Sequence, residues 1–278
     1  MEIRHVPVTQ VVMIASAPLL MIVVSLFERR WGPMVAGKVA AAPITAMIGL
    51  LLVAADLGND VSHEMAITMS GYVPAQIGIA LVVAALVKRT SFLRGLAVGI
   101  AAYGCLAWVA TLLPAVVAIA TSMLLLIVSR RLVAAPPETN DGSQPPLAAG
   151  RWMIALRAGA SLATALGLLV VSQRFGPAAG GVIGAFPIFT FTLCAFVFAT
   201  SGQTGVRQVL AGMVHGLPAY FAFVLTYALM TPHIGSIGAA LAGSLACACC
   251  YLRSAPPSAK LTLDTYTHWM GSDADVPR

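Results

Sequence analysis

The sequence predicts an all-α, polytopic integral membrane protein built from two homologous four-helix repeats, and three observations carry that expectation. Charge is scarce: Asp, Glu, Lys and Arg make up 9% of the 278 residues against 59% hydrophobic ones, whereas a soluble domain carries charge on about a quarter of its residues. Apolar stretches of about 20 residues recur, each long enough to cross a hydrocarbon core about 30 Å thick. Glycines and prolines, finally, recur in one register across the two halves.

Taken in order, nine spans are expected, at 10–27, 33–55, 66–87, 93–112, 114–128, 153–171, 177–200, 206–230 and 234–252. The run from 95 to 128 is too long for one span, and Pro114 cannot donate a helical amide, so a corner is placed at Leu113-Pro114. Without that corner the count falls to eight. Residues 133–150 hold Pro136, Pro137, Asn140, Asp141, Gly142, Pro145 and Pro146 and read as an exposed linker. The chain thus divides into a first membrane repeat (10–112), a connecting transmembrane helix (113–129), a polar linker (130–150), a second membrane repeat (151–253) and a polar tail (254–278). No small-residue cleavage site closes the first apolar run before Glu28, so a cleavable signal is not expected there.

A shift of 144 residues aligns the halves without a gap. Arg30-Trp31-Gly32-Pro33 faces Arg174-Phe175-Gly176-Pro177, Pro43-Ile44 faces Pro187-Ile188, Gly58 faces Gly202, Pro74-Ala75 faces Pro218-Ala219 and Gly99 faces Gly243. Apolar composition produces chance identities among Ala, Leu and Val, but it does not pair Gly and Pro in one register over such a length. Arg29 and Arg30 follow the first span, Lys88, Arg89 and Arg94 the third, and Arg130 and Arg131 the fifth, while Asp56, Asp60 and Glu64 fill what reads as an external loop after the second. The positive-inside rule then puts the N-terminus outside and the C-terminus inside. The odd fifth helix reverses insertion, so the repeats are expected to be inverted; Arg207 agrees with this and Arg174 does not.

The net charge of +6 falls in short clusters between spans rather than on one basic face, which argues against nucleic acid. Cys105, Cys247, Cys249 and Cys250 form no metal-ligand spacing and read as packing residues. No paired carboxylates, HExxH or phosphate-cradling loop occurs in the spans, so neither an enzyme nor a cofactor is expected. Asp56, Asp60, His63 and Glu64 cluster without counterparts in the second half, and no metal site is assigned to them.

From Gly180 onward, the glycine pair Gly180-Gly181, then Phe186-Pro187 with Phe189-Thr190, then the polar Thr200–Arg207 stretch and Pro218-Ala219-Tyr220 follow one another in a distinctive order. This resembles the GlpM family of small four-helix bacterial inner-membrane proteins over about 162–251. It is fainter in the first half, where Ala42-Pro43-Ile44-Thr45 and Val73-Pro74-Ala75-Gln76 keep the prolines without the aromatics. The resemblance implies a fold, a bacterial plasma-membrane location and a link to exopolysaccharide production, rather than a reaction.

Pro43 and Pro187 each remove a helical amide inside a span. The result is either a broken helix offering carbonyls to a midplane cavity or a packing kink. Lys38, five residues into its span, is a site candidate or a snorkelling anchor. Thr45, Tyr72, Gln76, Thr190, His215 and Tyr220 bring further polar groups near the paired prolines, with His215 either a titrating group or a hydrogen-bonded interhelical one. Together these nine residues form the expected substrate-binding set. The function they suggest is transport of an unidentified small solute by alternating access, its surroundings being the lipid bilayer. A non-transporting component of an envelope or exopolysaccharide assembly complex is the alternative, with a homodimer or envelope-assembly proteins as partners.

Overall fold

The computed structural model describes residues 32–132, 174–175 and 180–254, and among them every element is a helix. The expected spans 10–27 and 153–171, most of the linker and the tail lie outside these residues. Residues 32–40 form α1, followed by α2 (Ile44–Leu57), α3 (Asn59–Gly71), α4 (Val73–Leu86), α5 (Phe92–Thr111) and α6 (Ala115–Leu132). After 180–185 (α7) comes α8, Ile188–Ser254, which non-helical glycines at 202 and 235 divide into rods 188–201 (α8a), 203–234 (α8b) and 236–254 (α8c). Among the described residues two helical stretches are long and apolar enough to cross a membrane, Phe92–Thr111 and Gly180–Arg253, and the bent pair α3–α4 makes a third if counted as one span. This is an all-helical chain whose apolar helices are compatible with membrane insertion.

The paired prolines break their helices rather than bend them. Pro43 has no amide hydrogen to give the carbonyl of Val39, which instead accepts from Ala42 N at 3.0 Å, and the helix restarts with Met47 N donating to Pro43 O at 2.8 Å. Around Pro187 the same substitutions recur: Phe186 N donates to Ile183 O at 3.0 Å and Phe191 N to Pro187 O at 3.1 Å. Of the two outcomes expected at these prolines, a broken helix or a packing kink, the break is the one that occurs, and the spans expected at 33–55 and 177–200 are each interrupted there.

The acidic external loop expected after the second span is also corrected. Only Gly58 leaves helical geometry, with φ 97°, while Asp56 lies in the last turn of α2 and Asp60, His63 and Glu64 lie in α3. Likewise Gly202, with φ 61°, is the one non-helical residue in the polar 200–207 stretch. A glycine in the left-handed region redirects the chain in a single step, so polar residues that read as a loop are helix surface. At the next proline pair the halves differ: α3 and α4 meet at a 43° bend beside Pro74, whereas Pro218 sits inside the uninterrupted α8b. The Leu113-Pro114 corner is present, and the connecting helix runs to Leu132, beyond the expected 129.

Packing crosses between the halves. Glycines let α1 lie directly on α8b: a Cβ at Gly37 would meet the Val209 carbonyl, one at Gly212 the Met34 carbonyl, and one at Gly216 would crowd Ala41 and Lys38. In return α7 lies on α3, where Gly181 abuts Thr68 and the Met65 carbonyl. The α3–α4 pair and α8b run antiparallel, with Asn59 beside Gly235, Ser62 bonded to Tyr227 and Gln76 near Tyr220. Within each half the final helix folds back, α5 onto α4 through Gly99 against Ile79 and Val83, and α8c onto α8b through Gly243 against Phe223. In hydrocarbon such close backbone approach replaces the hydrophobic effect as the force between helices.

Overpacking one of these contacts should be costly. Gly37→Leu is expected to lower unfolding stability in detergent by about 1–3 kcal/mol, while Gly104→Ala, whose added carbon meets nothing within 4 Å, should change it by less than about 0.5 kcal/mol. Thermal melts of the two variants check the contrast.

Candidate functional site

Breaking a helix inside an apolar protein strands main-chain carbonyls, each needing a partner. In an unbroken helix the Ala185 carbonyl would accept from Phe189; here Gln76 Nε2, from α4 of the other half, donates to it instead. Tyr103 Oη of α5 donates to Val182 O at 2.7 Å, also on α7. Across the molecule Tyr251 Oη of α8c donates to Lys38 O at 2.8 Å on α1. Residues 38 and 182 are equivalent under the 144-residue shift, so corresponding carbonyls of the two short helices are each bonded by a tyrosine from the last helix of the opposite half.

Around the second break these groups form one buried polar cluster. Gln76 is 2% exposed, Tyr103 4% and Tyr220 6%. Tyr220 and Tyr72 lie within electrostatic reach of Tyr103, and the Tyr220 hydroxyl neighbours the Gln76 carboxamide. Because Gln76 spends its amide nitrogen on Ala185, its Oε1 points elsewhere; among the described residues neither that oxygen nor the Tyr220 hydroxyl makes a hydrogen bond of good geometry, the two side chains lying only within loose reach of each other. Phe186 fills the break, edge-on to Tyr103 with ring centroids 4.9 Å apart and stacked on Phe191 at 6.1 Å. Tyr72, at the α3–α4 bend, also lines a cleft of about 210 Å³ between α3, α5 and α6, together with Thr68, Gly71, Ala110, Thr111 and Ala118.

Of the residues expected to bind substrate, the structure brings together Tyr72, Gln76, Pro187 and Tyr220 at this break, with Thr190 buried one turn further on. Pro43 and Lys38 belong to the corresponding break in the first half, where Lys38 is half-buried. Thr45 lies in α2, and its side chain is outside the described residues. His215 is not drawn into the cluster by its hydrogen bond: its Nδ1 donates at 2.8 Å to Ala211 O, one turn back on its own helix. Sequence reasoning missed Tyr103, Tyr227 and Tyr251. For Tyr103 the signal was position, since a tyrosine in the middle of an apolar run has no interface to reach and must find its partner inside; Tyr227 and Tyr251 stand near the ends of their expected spans and gave no such signal.

A second polar contact ties α3 to α8b. Ser62 Oγ donates to Leu50 O at 3.1 Å, so the Tyr227 hydroxyl, 2.6 Å away, donates to Ser62. His63 Nδ1 meets Ala228 O at 2.8 Å, which takes the histidine out of the acidic cluster. Among the described residues no group of three His, Cys, Asp or Glu side chains is placed to hold a metal ion.

No family model, curated protein or solved structure matches the chain, which leaves its own geometry as the ground for function. If the two tyrosines satisfy the break carbonyls, Tyr103→Phe and Tyr251→Phe should each lower stability by about 0.6 kcal/mol, at most about 1.7, the range for interhelical bonds in membranes. Chemical denaturation in mixed micelles measures both.

Proposed function

We propose that the chain is a bacterial plasma-membrane transporter for a small solute, built from two inverted repeats that exchange roles as access alternates. The observation that carries this reading is the antiparallel course of α3–α4 and α8b, which the 144-residue shift makes equivalent. Asn59 stands beside Gly235, Ser62 bonds Tyr227 and Gln76 neighbours Tyr220, so the second number falls as the first rises. Equivalent transmembrane elements run parallel when their symmetry axis lies along the membrane normal, and antiparallel when it lies in the membrane plane, as in inverted-repeat transporters.

The contacts exchange in the way a two-fold relation requires, residue i of one unit meeting j of the other and the reverse. Gly37 meets Val209 and Gly181 meets Met65, the same pair with the halves swapped. Gln76 and Tyr220 are each other's equivalents, and only residues on a symmetry axis meet their own counterparts. In an inverted arrangement that axis lies in the membrane midplane. Discontinuous helices, carbonyls turned toward side chains of the opposite half and a polar cluster on the axis are the parts from which such transporters build their sites. The reading keeps the nine-helix count with the N-terminus outside, α6 being the helix that reverses the second repeat, and it treats the GlpM likeness as a likeness to a single unit. No catalytic role is proposed.

Topology tests this directly. Asn59 and Gln203 are equivalent and exposed, and unlike their neighbours Gly58 and Gly202 they carry no positive φ. With the five native cysteines replaced by alanine, a membrane-impermeant thiol reagent on intact cells should label Asn59→Cys and spare Gln203→Cys. Equal labelling of the two would mean parallel repeats, and the assembly-component reading would replace transport.

A further inference from the structure

Resting on the transport reading, we propose that Gln76 Oε1 and the Tyr220 hydroxyl are the two recognition groups of the solute site. We further propose that the solute is a small uncharged molecule bearing both a hydrogen-bond donor and an acceptor, such as a polyol or an amide. Both atoms are buried neighbours, and among the described residues neither makes a hydrogen bond of good geometry, their only polar contact being a loose one with each other, in a fold that otherwise satisfies the polar groups around its breaks with care. A buried orphan atom is costly, and two on the symmetry axis are a matched set: an acceptor fixed by the Gln76–Ala185 bond and a hydroxyl able to donate or accept. A solute hydroxyl or amide N–H would donate to Oε1, and its oxygen would accept from Tyr220.

Charge selects the class. The groups assembled here are Gln76, Tyr72, Tyr103, Tyr220, Phe186 and main-chain carbonyls already bonded. Among the described residues no carboxylate, ammonium or guanidinium stands with them to compensate an ion taken out of water, and an ion would meet the full desolvation cost. Tyr72 links the cluster to the cleft between α3, α5 and α6, where Thr68 and Thr111 supply the other hydroxyls, and this is the approach route from one side. The axis also dictates that the site touches both repeats equally, Gln76 from one and Tyr220 from the other, so rocking one repeat against the other pulls the two groups apart.

The full chain reconstituted in liposomes, with glycerol, erythritol, urea and acetamide as probes in stopped-flow light scattering, tests the assignment. At least one probe should equilibrate faster than in protein-free vesicles, and Gln76→Leu or Tyr220→Phe should each slow it by about tenfold or more, with melting temperatures within about 2 °C of the parent. The double variant should be no slower than either single one. A plain structural pair behaves otherwise: each single variant melts lower, the double recovers, and flux is untouched, which overturns the assignment. Currents driven by ions on solid-supported membranes without acceleration of any neutral probe would sink the solute class and leave transport standing. Neither flux nor current would remove the transport reading itself.

Discussion

The need of a stranded carbonyl for a hydrogen bond governs this architecture. A helix that spans hydrocarbon satisfies its own backbone, and every interruption creates a debt that water cannot settle. Pro43 and Pro187 interrupt two helices, and the partners for the carbonyls near them come from far along the chain: Tyr251 for Lys38, Tyr103 for Val182, Gln76 for Ala185. Because each donor belongs to the half that does not contain the break, neither half is self-sufficient. The glycine contacts follow from the same requirement. A tyrosine reaches a main-chain oxygen on the next helix only when the axes are close, and Gly37, Gly181, Gly212 and Gly216 remove the side chains that would hold them apart.

Much of the fold was legible because prolines act locally. The corner at Pro114 and a break or kink at Pro43 and Pro187 follow from the rule about a missing amide, whereas the single-residue turns at Gly58 and Gly202 were not read from the sequence. What misled was polarity. Asp56, Asp60, His63 and Glu64 look like a loop because loops are usually polar, yet a chain that turns within one glycine needs no loop, and the polar residues cover helix ends instead. The different fates of Pro74 and Pro218 were not legible either, because they are decided by how α4 and α8b pack and not by the proline itself.

The polar cluster was half visible. Gln76 and Tyr220 stood out as polar residues near paired prolines, but Tyr103 did not, since it enters from a helix with no proline and no counterpart of its type: its equivalent is Cys247, one turn from Tyr251. On the proposed duplication, the correspondence lies in the carbonyls that receive bonds and not in the side chains that give them. A comparison of aligned residues sees only the second. His215 shows the opposite error, where an ionisable residue at a suggestive position is bonded to its own helix.

The bond from Tyr251 to Lys38 spans 213 residues, and it bears on how the protein is made. A chain leaves the ribosome N-terminus first at roughly 5–20 residues per second, so α1 must wait on the order of ten seconds or more between its own synthesis and that of its tyrosine. During that interval the Lys38 carbonyl lacks its tyrosine and the glycine face of α1 lacks α8b. Contacts of such sequence separation also slow folding itself. The α1 face is therefore complete only when the last rod arrives, and under the proposed membrane placement the early helices need cover by lipid or a partner until then.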